Sequence, residues 1–179
     1  TAMELEIGVF PVADWYEGRG GKAPLNFGAT VSHPWARAAA QGLGVAAALT
    51  TGANAGLIEE QHNRMLALLR QGLTDGAIGI GMGITYTPAA DHAEILSVFR
   101  LAAEMKKPVF VHLRNAKFMN HDPLAPLQEV LANAVITGAS LHVVHINSSL
   151  DKAAKTAVGM IRDLQAQGFD ISTENYPYT

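Results

Sequence analysis

The chain has 179 residues, of which 49% are hydrophobic and 16% charged, with a formal net charge of −3 and no cysteine. That length and apolar content support one globular domain with a sizeable core and exclude a disordered segment. No run of Lys or Arg points to a nucleic acid or an anionic membrane, so a small molecule is the expected partner. The lack of cysteine removes disulfides and thiolate ligands and leaves His, Asp and Glu as the strong metal donors. There is no apolar run of about 18 residues and no secretory amino terminus, which makes a cytoplasmic location the expectation.

In chain order, Ala2 to Ile7 reads as a short strand, and Leu25 to Val31 as another after a glycine-rich turn at Gly18 to Gly21. The stretch from Trp35 to Ala55, rich in Ala, Gly and Thr, fits a loop with a weak helix. Apolar spacing predicts a helix from about Leu57 to Gln71, stopped at Gly72. Gly76 to Met82 reads as a glycine-rich buried strand whose Gly79, Gly81 and Gly83 suit a crowded wall. A helix capped by Asp91 runs to Met105, where Lys106 and Lys107 complement its dipole. Strand Val109 to His112, a helix from about Leu124 to Thr137 opened by Pro123 and closed by Gly138, and strand Leu141 to Ile146 follow. A helix from Asp151 to Gln167 and a strand from Asp170 to Asn175 complete the series.

Strands alternating with helices predict an α/β fold with parallel strands of the TIM-barrel type. No linker divides it, so residues 1–179 read as a single domain. The chain opens in a strand and closes in one, while a closed barrel takes about 250 residues. It is therefore expected to be the middle of a longer protein, roughly strands two to seven of eight.

Two of the strand-like runs end in histidine, at His112 and His145. In parallel βα sheets ligands sit at the carboxyl ends of the strands, so both imidazoles are expected at one mouth, as a metal centre requires. Each also has a bland reading as a hydrogen-bonded structural histidine. Among the others, His33 reads as a helix start, His142 as packed under a helix, and His62, His92 and His121 as surface residues.

The segment Gly76-Ala-Ile-Gly-Ile-Gly-Met-Gly-Ile-Thr-Tyr-Thr-Pro88, the strand ends Val111-His112-Leu113-Arg114 and Val144-His145, and Asp170-Ile-Ser-Thr-Glu-Asn-Tyr-Pro-Tyr178 together resemble the N-acyl-D-amino-acid deacylases. These D-aminoacylase-like enzymes belong to the amidohydrolase superfamily of metal-dependent barrels. The resemblance implies that His112 and His145 are metal ligands on the fifth and sixth barrel strands, and that Tyr176 contacts the acyl amino acid. Where the family places a bridging cysteine on the second strand, this chain offers Glu4 and Glu6. Both share a strand face, and Glu6, nearer the carboxyl end, is the candidate bridge. Arg114, two residues past His112, is a candidate for holding the substrate carboxylate.

The resemblance also implies what is not in the chain. The His-x-His pair of the first strand and the general acid/base aspartate of the eighth have no counterpart, so no catalytic residue is assigned and the chain alone is expected to be inactive. The implied chemistry is hydrolysis of a linear amide, most readily an N-acyl-D-amino acid, by water activated on a divalent metal, with Zn²⁺ the first candidate. Ring opening of a cyclic amide and a non-catalytic barrel remnant are the alternatives. The missing remainder of a barrel or a second copy are the expected protein partners. Three bland readings stand beside these: a rim salt bridge for Arg114, a core aromatic for Tyr176, and edge-strand charges for Glu4 and Glu6.

Overall fold

Among the described residues, six strands pair side by side in the order in which they occur, and every neighbouring pair is parallel. They are β1 (Ala2–Val9), β2 (Phe27–Ser32), β3 (Ile80–Gly83), β4 (Val109–His112), β5 (Leu141–Val143) and β6 (Ile171–Thr173). Helices α1 (Val12–Glu17), α2 (His33–Ala40), α3 (Glu59–Thr74), α4 (His92–Met105), α5 (Ala125–Thr137), α6 (Ile146–Leu150) and α7 (Ala154–Ala166) connect them. This computed structural model describes residues 1–115 and 121–177. A strand order that never reverses distinguishes a barrel-type sheet from a doubly wound one. The expected α/β barrel class is what the structure has, as an open six-stranded sheet. Among the described residues, no helix is long and apolar enough to cross a membrane.

The two faces of the sheet differ in chemistry. Val31, Ile80, Met82, Val109, Val111, Leu141, Val143 and Ile171 are buried and pack in one core with the apolar faces of the helices. Alternation places Thr30, Gly79, Gly81, Phe110, His112 and His142 on the other face, a largely polar or small-residue inner wall. This corrects the reading of His142. It lies beside Phe110 in the ladder, with ring centroids 5.5 Å apart, and its Nδ1 is 2.9 Å from Ser172 Oγ.

Helix ends follow their chemistry. Asp91 caps α4 by accepting from the Glu94 N–H at 2.8 Å, and α5 closes on Gly138 in the left-handed region. The sequence missed α1, which at six residues is too short to show helical periodicity. It also blurred α2, whose start is fixed by Ser32 as its cap. β5 and the last helix are shorter than expected: β5 ends at Val143, and residues Asp151–Ala153 form a 3₁₀ turn.

A buried ionic cluster ties α2 to α4. Glu94 Oε1 lies 2.8 Å from His33 Nε2 and 2.9 Å from Arg37 Nε, and all three residues are almost wholly enclosed. Arg37 also donates to the carbonyls of Gly52 and Ala55, which fastens the irregular segment between α2 and α3. Burial alone would push the Glu94 carboxyl up. The hydrogen bond with His33 and the charges of His33 and Arg37 outweigh it, so the group is held below its usual value.

β1 departs from regular pairing in a way that matters for the site. Between Glu4, opposite Ala29, and Val9, opposite Val31, β1 advances five residues while β2 advances two. The extra residues form a wide bulge that folds onto the inner wall. Thr30 Oγ1 donates to the Leu5 carbonyl at 2.8 Å and holds it there. Gly81 leaves the space: a Cβ at that position would lie 2.7 Å from the Leu5 carbonyl oxygen and 2.9 Å from that of Glu6.

Two outcomes are expected. Glu94→Gln should cost about 3–5 kcal/mol by leaving Arg37 uncompensated, read by chemical denaturation. The wild-type contribution should be fully present above the ordinary glutamate range and lost as the pH falls through the depressed folded-state value, a dependence absent from the variant. Gly81→Ala should cost about 1–3 kcal/mol by overpacking against the bulge, and an unchanged denaturation midpoint would contradict that packing.

Candidate metal centre

Three side chains from distant parts of the chain meet at the carboxyl end of the sheet. Glu6 rides on the β1 bulge, His112 is the last residue of β4, and His145 follows β5. Glu6 Oε1 is 2.7 Å from His112 Nδ1, and Glu6 Oε2 is 3.3 Å from His145 Nε2. The imidazole centroids are 4.5 Å apart and nearly perpendicular. One ligand atom from each residue lies within 4.8 Å of the other two. Tetrahedral zinc sites with bonds of about 2 Å separate their ligands by ~3.3 Å, so small shifts, an opening of the 2.7 Å Glu6–His112 contact among them, bring all three to one ion. The set of two imidazoles and a carboxylate suits zinc.

His145 reaches the site by a backbone device. The β5 ladder stops at Val143, and His145 adopts the left-handed conformation, φ 31° and ψ 56°, at the start of α6. Such a conformation is uncommon for a residue with a side chain, and it is seen where the surroundings hold it and function needs it. The Ile146 N–H donates to the Glu174 carbonyl at 2.9 Å, and the Tyr176 N–H donates to Asn147 Oδ1 at 3.1 Å. The chain beyond β6 is thereby tied to α6, and the Tyr176 ring stacks on His145 with centroids 5.0 Å apart. On the far side of the same imidazole, Ser148 Oγ and Ser149 Oγ lie 3.1 and 3.2 Å from Nδ1.

The electrostatics favour an ionised carboxylate. The hydrogen bond with His112 holds the Glu6 carboxyl below its usual range, and the charges of His112 and His145 add to that against the opposing effect of burial. Tyr86 completes the setting, with its ring 5.1 Å from that of His112. Burial, then the charge of Glu6 and the neighbouring Tyr176, push its phenol above the ordinary value. Gly83 makes room for it, since a Cβ there would lie 2.6 Å from the tyrosine ring.

Of the residues singled out from sequence, the structure brings Glu6, His112, His145 and Tyr176 together. Glu4 is exposed and outside the cluster, so the choice between the two glutamates falls to Glu6. Arg114 is placed otherwise. The β4 strand ends at His112, so strand alternation does not carry Arg114 onto the face of His112. Its guanidinium instead makes a two-bonded pair with Glu129, at 2.9 and 3.0 Å, and donates to the Ala90 carbonyl. These contacts serve the α5 packing rather than the substrate-holding role expected of it. Tyr86 was passed over inside its glycine-rich motif; the glycine three residues before it was the available signal. Tyr178, last of the carboxyl-terminal motif, lies outside the described residues.

No protein-family model matches the chain, and no curated protein is significantly similar to it in sequence. Among solved structures it is similar to N-acyl-D-glutamate deacylase from Bordetella bronchiseptica, determined with zinc and a phosphonate mimic of the tetrahedral intermediate. That match has a TM-score of 0.74 at 22% identity and covers 93% of this chain and 34% of that one. It is similar also to D-aminoacylase, described as defining a novel subset of amidohydrolases, with a TM-score of 0.71, 22% identity and the same coverage. A further D-aminoacylase structure, at the same TM-score, identity and coverage, concerns the role of that enzyme's binuclear metal centre. The chain therefore shares the fold of the D-aminoacylases over nearly all its own length and spans about a third of theirs.

Proposed function

We propose that residues 1–179 form the central part of the catalytic barrel of a metal-dependent amidohydrolase, and that the whole protein removes the acyl group from N-acyl-D-amino acids. The observation that supports this most is the convergence of Glu6, His112 and His145 at the strand ends, in a fold shared with a zinc-bearing deacylase. A bound divalent ion, zinc by the donor set, would supply an acidified water and polarise the amide carbonyl.

The chain's own groups have separable tasks. Glu6, ionised, offers an oxygen to each imidazole side and neutralises part of the ion's charge. His112 and His145 supply neutral nitrogen donors. Tyr86 and Tyr176 flank the two imidazoles, and their phenols bound the space in which an acyl amino acid would lie. Tyr86, its ring beside that of His112, is placed to donate a hydrogen bond to a developing oxyanion. Among the described residues, no other His, Asp or Glu joins the cluster, so the proton that must reach the leaving amine is proposed to come from a group outside it.

Zinc titrated into the purified chain should bind, and His112→Ala or Glu6→Gln should weaken binding at least tenfold while the fold, read by circular dichroism, persists. The complete gene product should release free amine from N-acetyl-D-amino acids and lose that activity on chelation. Turnover of hydantoins alone would favour the ring-opening alternative, and turnover of neither with no zinc bound would leave a binding module.

A further inference from the structure

The two contacts of the Glu6 carboxylate, 2.7 Å to His112 and 3.3 Å to His145, differ in kind. A neutral imidazole carries its proton on one nitrogen and a lone pair on the other, and the partners of one nitrogen decide the state of its opposite. Ser148 Oγ lies 3.1 Å from His145 Nδ1 and 3.3 Å from the His145 carbonyl oxygen. A carbonyl only accepts, so the Ser148 hydroxyl can donate its single proton there and at the same time accept from Nδ1–H, an arrangement that satisfies both contacts at once. Ser149 Oγ, 3.2 Å from the same nitrogen, offers a second acceptor.

With the proton on Nδ1, His145 Nε2 is a bare lone pair facing the ionised Glu6 Oε2 across 3.3 Å. Two acceptors at that distance repel until a proton or a cation lies between them. At His112 the situation is the reverse, because Nδ1–H can donate to Glu6 Oε1 at 2.7 Å. The pair on the His145 side is thus the one built to be completed by a positive ion.

Resting on the metal-centre reading above, we propose that Ser148, seconded by Ser149, is a positioning residue that fixes His145 in the Nδ1–H tautomer and so aims its Nε2 lone pair, with Glu6 Oε2, at a divalent cation. Both serines lie on α6 within four residues of His145, so the turn that brings the imidazole to the site also brings its orienting groups. Ser148 is exposed and Ser149 half-buried, so neither is needed for the core.

The test is nitrogen-15 NMR of the histidine rings in the metal-free protein at about pH 8, above the ordinary histidine range, with zinc affinity measured by chelator competition. The wild type should show His145 protonated on Nδ1. The Ser148→Ala/Ser149→Ala variant should move the proton to Nε2, where Glu6 accepts it, and bind zinc about 10–100-fold more weakly. Ser148→Thr in the Ser149→Ala background should restore both readouts. A wild-type ring protonated on Nε2 or on both nitrogens, or a double variant unchanged in tautomer and affinity, would overturn the proposal. An Nδ1–H ring in a wild type that binds no zinc would support the tautomer assignment while overturning the hydrolase reading on which its purpose rests.

Discussion

The Glu6 carboxylate stands 2.7 Å from one imidazole and 3.3 Å from another, and the architecture around it answers the problem of bringing those groups together. Residue 6 belongs to the edge strand β1 and residue 145 follows β5, four strands across the sheet, and hydrogen-bonded pairing alone would never join them. The sheet has to curl, and the first strand has to leave its ladder and cross the inner wall. The hydrogen bond with His112 holds the Glu6 carboxyl below its ordinary range against the opposing effect of burial.

That constraint accounts for residues that otherwise look unremarkable. Gly81 has no side chain because the β1 bulge occupies the space a Cβ would need, and Gly83 has none because Tyr86 does. Thr30 faces inward, on a wall of small and polar groups, to bind the bulge carbonyl. His145 accepts a left-handed backbone, and the contacts of Glu174, Asn147 and the α6 serines hold it there. On the outer face the logic is ordinary packing, where Val, Ile, Leu and Met of the strands meet the helices and the site draws only rigidity from them. The buried Glu94 cluster gives that rigidity to the irregular segment after α2, through Arg37 and the carbonyls of Gly52 and Ala55.

Much of this was legible in the sequence. A strand-like run ending in histidine located β4 and His112, the Asp91 cap located α4, and proline and glycine punctuation located α5, each helix to within a residue or two. The parallel order of the strands followed from the alternation of elements. Other features were not legible because they arise from non-local contact. Strand alternation put Glu4 and Glu6 on one face and proximity to the strand's carboxyl end favoured Glu6, yet the bulge that carries Glu6 to the histidines is visible only in the pairing register. The same rule misplaced Arg114, since alternation has no meaning beyond the last paired residue and Glu129, fifteen positions on, claims the guanidinium. It misplaced His142 too, because the left-handed turn at His145 breaks the relation between the two histidines. The serines that orient His145 carry no motif of their own and acquire meaning only once the α6 turn sets them beside Nδ1.

The central claim is that Glu6, His112 and His145 together hold one metal ion. X-ray absorption at the zinc edge of the metal-loaded chain tests it most directly. The account predicts two imidazole nitrogens and at least one carboxylate oxygen at about 2.0–2.2 Å, with the imidazole signature reduced by half in His145→Ala. A spectrum without imidazole scattering, or one unchanged by that substitution, would contradict it.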